Sequence, residues 1–142
     1  MAQKTTVYGQ NERVVSWVGK RVEVEDFGSC AAIGLEQDGE LIAGVVFNLY
    51  SPPSICMHVA AVPGKRWMTR EYLFRCFAYP FLQLNCTRIT ALIREHNQES
   101  QKFVRHIGFQ KEGVMRQGSE DGSDLIVYGM LRSECRFLGM KL

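Results

Sequence analysis

Residues 97–116 read NQESQKFVRHIGFQKEGVMR, and their punctuation decides the architecture. Asn97 opens a helix that stops at Gly108, the residue type favoured just past a helix C-terminus. Phe109 to Arg116 then reads as a strand, paired with Leu125 to Arg132 around the turn Ser119-Glu120-Asp121-Gly122-Ser123. Immediately upstream, Arg88 to Arg94 alternates as RITALIR, a short buried strand.

Working outward, TREYLFRCFAYPFLQL from Thr69 turns helical. Thr69 is its N-cap, and its apolar side chains fall at Leu73, Phe77, Phe81 and Leu84. Pro80 removes a helix bond and crowds the carbonyl of Cys76, so a kink is expected there. Ser29 to Leu35 and Leu41 to Tyr50 are apolar runs joined through Asp38-Gly39, a positive-φ hairpin turn. Pro52-Pro53 interrupts, and Ile55 to Val62 resumes as a third strand that ends at Pro63-Gly64. Asn11 to Val22 carries Val14, Val15, Val18 and Val22 at helical spacing, after a polar opening. The expected order is helix, three strands, helix, strand, helix, two strands. Ser133 to Leu142 has no clear pattern.

A chain of 142 residues, 46% hydrophobic and 23% charged, suits one globular domain, 1–142. The net charge of +2 is too mild for a nucleic-acid binder, although Lys65, Arg66 and Arg70 form a cluster able to hold phosphates. The five cysteines are odd in number and include no CxxC pair, so they read as reduced thiols rather than disulfides or metal ligands. With no leader-like segment and no apolar run of about 20 residues, the expected setting is the reducing cytoplasm, with no membrane and no metal.

The run FAYPFLQLNCTRITALIREHNQESQKFVRHIGFQKEGVMRQG resembles the GNAT superfamily, in the branch containing the N-terminal acetyltransferases of ribosomal proteins. The matching positions are Arg88, Ile89, Ala91, Asn97, Ser100, Gly108, Phe109, Glu112, Gly113 and Arg116, with Asp124 and Tyr128 on the final strand. The likeness covers about the last half of the chain. Its small size also resembles compact acetyltransferase-like proteins of phages. The resemblance implies an α+β GNAT fold, with a mixed central sheet, a splayed pair of strands and flanking helices. It implies an N-acetyltransferase, with acetyl-CoA as co-substrate and a primary amine as acceptor.

By the same resemblance, the loop before the crossover helix grips the coenzyme pyrophosphate. The family's glycine-rich pattern is reduced here to Pro63-Gly64-Lys65-Arg66-Trp67-Met68-Thr69-Arg70-Glu71, in which only Arg66 keeps its place. Coenzyme binding is therefore expected from Lys65, Arg66, Thr69 and Arg70, with cations standing in for bare amides, and from Asn97. Backbone amides of Val59 to Val62 are the expected pantetheine and oxyanion donors. Val104 stands where many relatives carry an acidic tyrosine, which leaves Ser100 as the candidate partner of the leaving thiolate.

His58 is the first choice of general base, since an unperturbed imidazole titrates near pH 6.5; a strand histidine bonded to a neighbour is an equal reading. For Ser100, a hydrogen bond only within its own helical turn is an equal reading. His96 reads as a solvated residue, His106 as a helix-end residue and Glu112 as structural. Asn48, Tyr50, Asp124 and Tyr128 are candidates to line the acceptor pocket, with sheet-edge packing the competing role. Trp67 suits packing better than stacking on adenine. The helix from Tyr72 to Leu84 is apolar almost all round, which suggests a homodimer. Two other readings remain open: a GNAT-like module without turnover, and nucleobase modification resembling that of phage Mom proteins.

Overall fold

The computed structural model describes residues 3–139. It contains β1 (Lys4–Val7), α1 (Asn11–Val22), β2 (Cys30–Gln37), β3 (Glu40–Ser51), β4 (Ser54–Ala61), α2 (Arg70–Ala78), β5 (Arg88–Arg94), α3 (Gln98–His106), β6 (Gln110–Met115) and β7 (Leu125–Leu131). Seven strands form one sheet in the order β1-β2-β3-β4-β5-β7-β6. All neighbours are antiparallel except β4 and β5. The expected element order holds from α1 onward and lacks one strand. β1 is the addition: its polar sequence KTTV is held by antiparallel pairing with Leu35 to Gln37 and Gly34 on β2.

Helix α1 covers one face of the sheet, over β2, β3 and β4. It can lie close because Gly34 and Gly44 stand beneath it. A Cβ on Gly44 would come within 2.6 Å of Val18 Cγ2, and one on Gly34 within 2.9 Å of Val14 Cγ2. Val14 and Val18 are buried against Val7, Ala32, Val46 and Ala60. The opposite face carries the larger core, in which Phe47, Ile89, Tyr128 and Met130 meet Tyr72, Phe77 and Phe81 after β4, and Val104 after β5.

Thr69 is the N-cap of α2, its hydroxyl accepting from the Tyr72 amide at 3.1 Å. At Pro80 the helix widens into a π-turn, Tyr79 to Gln83, closed by Leu84 N–H donating to the Tyr79 carbonyl. The expected kink thus takes the form of a wider turn, a usual answer to a missing donor. The apolar helix is covered by its own chain: Phe137, from the tail that showed no pattern, stacks on Phe77 at 5.0 Å. Within the helix–turn segment only Leu82 remains an exposed large apolar side chain, so the apolar sequence needs no second subunit to explain it. All five cysteines are free.

Gly44→Ala should destabilise the protein by about 1–3 kcal/mol, because the new methyl overpacks the α1 contact. Urea unfolding should show a lower midpoint with an unchanged slope.

Candidate functional site

The parallel ladder between β4 and β5 is only three residues long: Ser54 with Arg88, Ile55 with Ile89, and Cys56 with Thr90. Beyond that point the strands part, while β4 stays paired with β3 as far as Ala61 and β5 with β7 as far as Arg94. The result is a cleft inside the sheet.

Register decides what the cleft presents. Ala43 pairs with Ala61, and the Val62 amide donates to the Ile42 carbonyl at 2.8 Å. This pattern makes Ala43–Ala61 a non-hydrogen-bonded pair, and the alternation of an antiparallel ladder does the same for Val45–Val59. The N–H and C=O groups of Val59 and Ala61 therefore point away from β3 into the cleft. Val62, an expected coenzyme donor, has its N–H committed to Ile42; Val59 and Ala61 are the residues with a free edge.

Where β4 ends, Lys4 of β1 and Lys65, Arg66, Trp67, Met68 and Thr69 of the following loop line an open recess of about 430 Å³. The loop folds on itself, with the Trp67 amide donating to the Lys65 carbonyl and the Thr69 amide to that of Trp67. Two amides that glycine-rich loops leave for an anion are thereby used, and the cationic side chains are what face the recess. Lys4 was not anticipated, because only its pairing with Gln37 brings it to this end of the sheet. Arg70, on the first residue of α2, is exposed but does not line the recess. Trp67 is half-buried and packs on Phe103 at 5.4 Å and Tyr72 at 6.3 Å, a packing role that joins the start of α2 to α3.

His58 is paired with Val46 and so projects to the α1 face of the sheet. Its Nε2 lies 2.9 Å from Asn48 Oδ1, and its ring meets that of Phe27 edge-on at 5.0 Å. Asn48 Nδ2 donates to the Phe27 carbonyl at 3.1 Å, which assigns Oδ1 as acceptor and Nε2 as the protonated nitrogen. Burial pushes the His58 pKa down to about 4, so the imidazole is neutral at pH 7 rather than poised near it.

Asn97 caps α3, its side chain accepting from the Ser100 amide at 3.1 Å. Ser100 is half-buried on the opposite side of the sheet from His58, and its hydroxyl has no hydrogen-bond partner among the described residues. The four expected acceptor-side residues do not come together. Tyr128 is fully buried, with its hydroxyl donating to Gln101 at 2.8 Å and accepting from Arg105, so it is a core residue. Asp124 holds the turn before β7 by accepting from the Gln117 amide. Tyr50 is exposed near the closed end of the β4–β5 pair, beyond Asn48 and away from the mouth. Asn48 is buried and serves His58. Glu112 pairs with Arg88 at 2.8 Å, the structural role expected of it. Among the described residues no group of His, Cys, Asp and Glu could hold a metal ion, and no helix is long and apolar enough to cross a membrane.

The depressed His58 pKa has a stability consequence. Between pH 6.5 and about 4 the unfolded chain binds a proton that the native chain refuses, so this contribution is complete above pH 6.5 and is lost as pH falls towards 4. Its size is about 3 kcal/mol. His58→Gln should flatten this part of the stability–pH curve measured by urea unfolding.

No family model matches the chain, and no curated protein matches it. Solved structures do. A point mutant of spermidine N-acetyltransferase SpeG from Vibrio cholerae superposes with a TM-score of 0.74 at 14% identity, over 96% of this chain and 97% of that one. A chimera of SpeG from Vibrio cholerae and hSSAT gives 0.72 at 16%, over 97% and 99%. At these identities the likeness is one of fold: the chain has the GNAT acetyltransferase fold.

Proposed function

We propose that the protein is an acetyl-CoA-dependent N-acetyltransferase that moves an acetyl group directly to a primary amine. The observation that carries this reading is the unpaired β4 edge at Val59 and Ala61, which leads directly into the loop that bears Lys65 and Arg66. An interior strand edge of this kind suits an extended, amide-bearing arm, which can hydrogen-bond to it as a missing strand would. Cations at its outer end suit a pyrophosphate. Coenzyme A has both parts in that order, and the thioester of acetyl-CoA would supply the activated acetyl group.

The arm would place the thioester carbonyl near the inner end of the free edge, where an amide N–H can stabilise developing negative charge. His58 and Ser100 lie on opposite faces of the sheet, so a thioester lying between the parted strands would have one on each side. The amine attacks from the α1 face and must arrive neutral, since an imidazole of pKa about 4 cannot deprotonate a free ammonium. As the C–N bond forms, the amine proton becomes acidic enough to pass to His58 Nδ1. The C–S bond breaks with its electron pair going to sulfur, and the Ser100 hydroxyl donates a hydrogen bond to that thiolate.

The loop's self-bonded amides at Trp67 and Thr69 favour a second reading, a GNAT-like module that has lost turnover. The two readings part in a single set of measurements. Acetyl-CoA at 100 times its Kd should add about 2.7 kcal/mol of stability and raise Tm by several degrees. Joint replacement of Lys4, Lys65 and Arg66 by alanine should abolish the rise. Radiolabelled acetyl transfer to pooled amines should then be detected, and should fall in His58→Ala and Ser100→Ala. A rise in Tm with no transfer supports the inactive module, and no rise at all removes the acetyl-CoA reading.

A further inference from the structure

The segment between α1 and β2 reaches both walls of the cleft on the α1 face. At one end, Glu23 Oε2 lies 3.2 Å from Arg94 Nη1, at the end of β5. At the other, the Phe27 ring lies on His58 of β4 and the Phe27 carbonyl accepts from Asn48. The β4 and β5 strands on which these contacts fall are the two that part after Cys56 and Thr90. From Glu23 to Phe27 the chain therefore spans the opening.

Its path is built in. Glu23 is left-handed at φ 59°, and Val24 N–H donates back to the Gly19 carbonyl at 3.0 Å, which turns the chain off the end of α1. Gly19 has no alternative: a Cβ there would sit 2.7 Å from the Val24 carbonyl oxygen and 3.5 Å from the Phe27 ring. Asp26 accepts from the Gly28 amide at 2.7 Å, which fixes the turn out of the segment. The two anchors differ in strength. Phe27 is 5% exposed and packed in the α1-side core, whereas the Glu23 side chain is 78% exposed. An ion pair that open to water contributes only about 0.2–1 kcal/mol. Arg94 does not depend on Glu23, since it also donates to Ser119 Oγ at 3.1 Å.

We propose that residues 23–27 form a strap over His58, with the Glu23–Arg94 pair as its releasable latch. Any molecule reaching His58 from the α1 face must open that latch first. The strap follows from contacts on the α1 face alone and does not require acetyl transfer to be correct.

Carbethoxylation by diethyl pyrocarbonate, followed residue by residue by mass spectrometry at pH 7, tests this without turnover. The reagent attacks neutral imidazole, and exposed His106 serves as the internal reference, since His96 is itself paired with Asp121 at 3.0 Å. In the unmodified protein at low salt, His58 should react more slowly than this reference. Glu23→Gln should raise the His58 rate about 1.4- to fivefold, the factor equivalent to the strength of an exposed ion pair, with His106 unchanged. Arg94→Gln should do the same, and thermal melts would confirm that both variants remain folded. Added salt should speed His58 in the unmodified protein and not in Glu23→Gln, because screening acts on the pair. Equal His58 rates in the unmodified protein and Glu23→Gln would overturn the latch, and a His58 already as reactive as His106 would overturn the strap.

Discussion

The candidate site depends on one constraint: the ladder between β4 and β5 stops at Cys56 and Thr90. Interior strands of a sheet ordinarily satisfy both edges, and an unpaired interior amide costs free energy unless water or a ligand replaces the neighbour. Here the loss is confined. β3 supports β4 to Ala61, β7 supports β5 to Arg94, and Val59 and Ala61 remain half-buried, within reach of water. The sheet thus holds open a short polar edge whose natural complement is another extended chain.

Something must hold the parted strands in register on the crowded face. Trp67 follows β4 and Phe103 follows β5, and their rings meet at 5.4 Å. Tyr72 adds its ring to this contact and anchors α2 to the sheet through its hydroxyl, which donates to the Ile33 carbonyl at 2.8 Å. The aromatic bridge bears on the loop that the sequence shows to be poor in glycine. A loop that must carry a large side chain into the core has less freedom to present bare amides, and here the Trp67 and Thr69 amides are bonded within the loop itself.

Periodicity made most elements legible: α1 runs from Asn11 to Val22 as read, and Asp38-Gly39 turns the hairpin with both residues at positive φ. β1 escaped because three polar residues and a single valine carry no pattern, and Lys4 with it. Other features depend on tertiary parity and burial. Val62 and Ala61 are neighbours in sequence, yet register alone turns one amide to β3 and the other into the cleft. Tyr128 fits a motif, but Gln101 on α3 closes over its hydroxyl. His58 keeps its place in the strand while Phe27, a residue with no local signal, helps to desolvate it.

That desolvation ties His58 to the segment between α1 and β2. A histidine left in water would be partly protonated near neutrality and would repel a cationic amine. Under Phe27, and hydrogen-bonded to an Asn48 whose own amide is held by the Phe27 carbonyl, the imidazole stays neutral with Nδ1 unprotonated. The segment that shields His58 thereby also sets its tautomer through Asn48. A change in its position must alter access and proton affinity together, so the α1-side loop sets the environment of the β4 histidine as well as covering it.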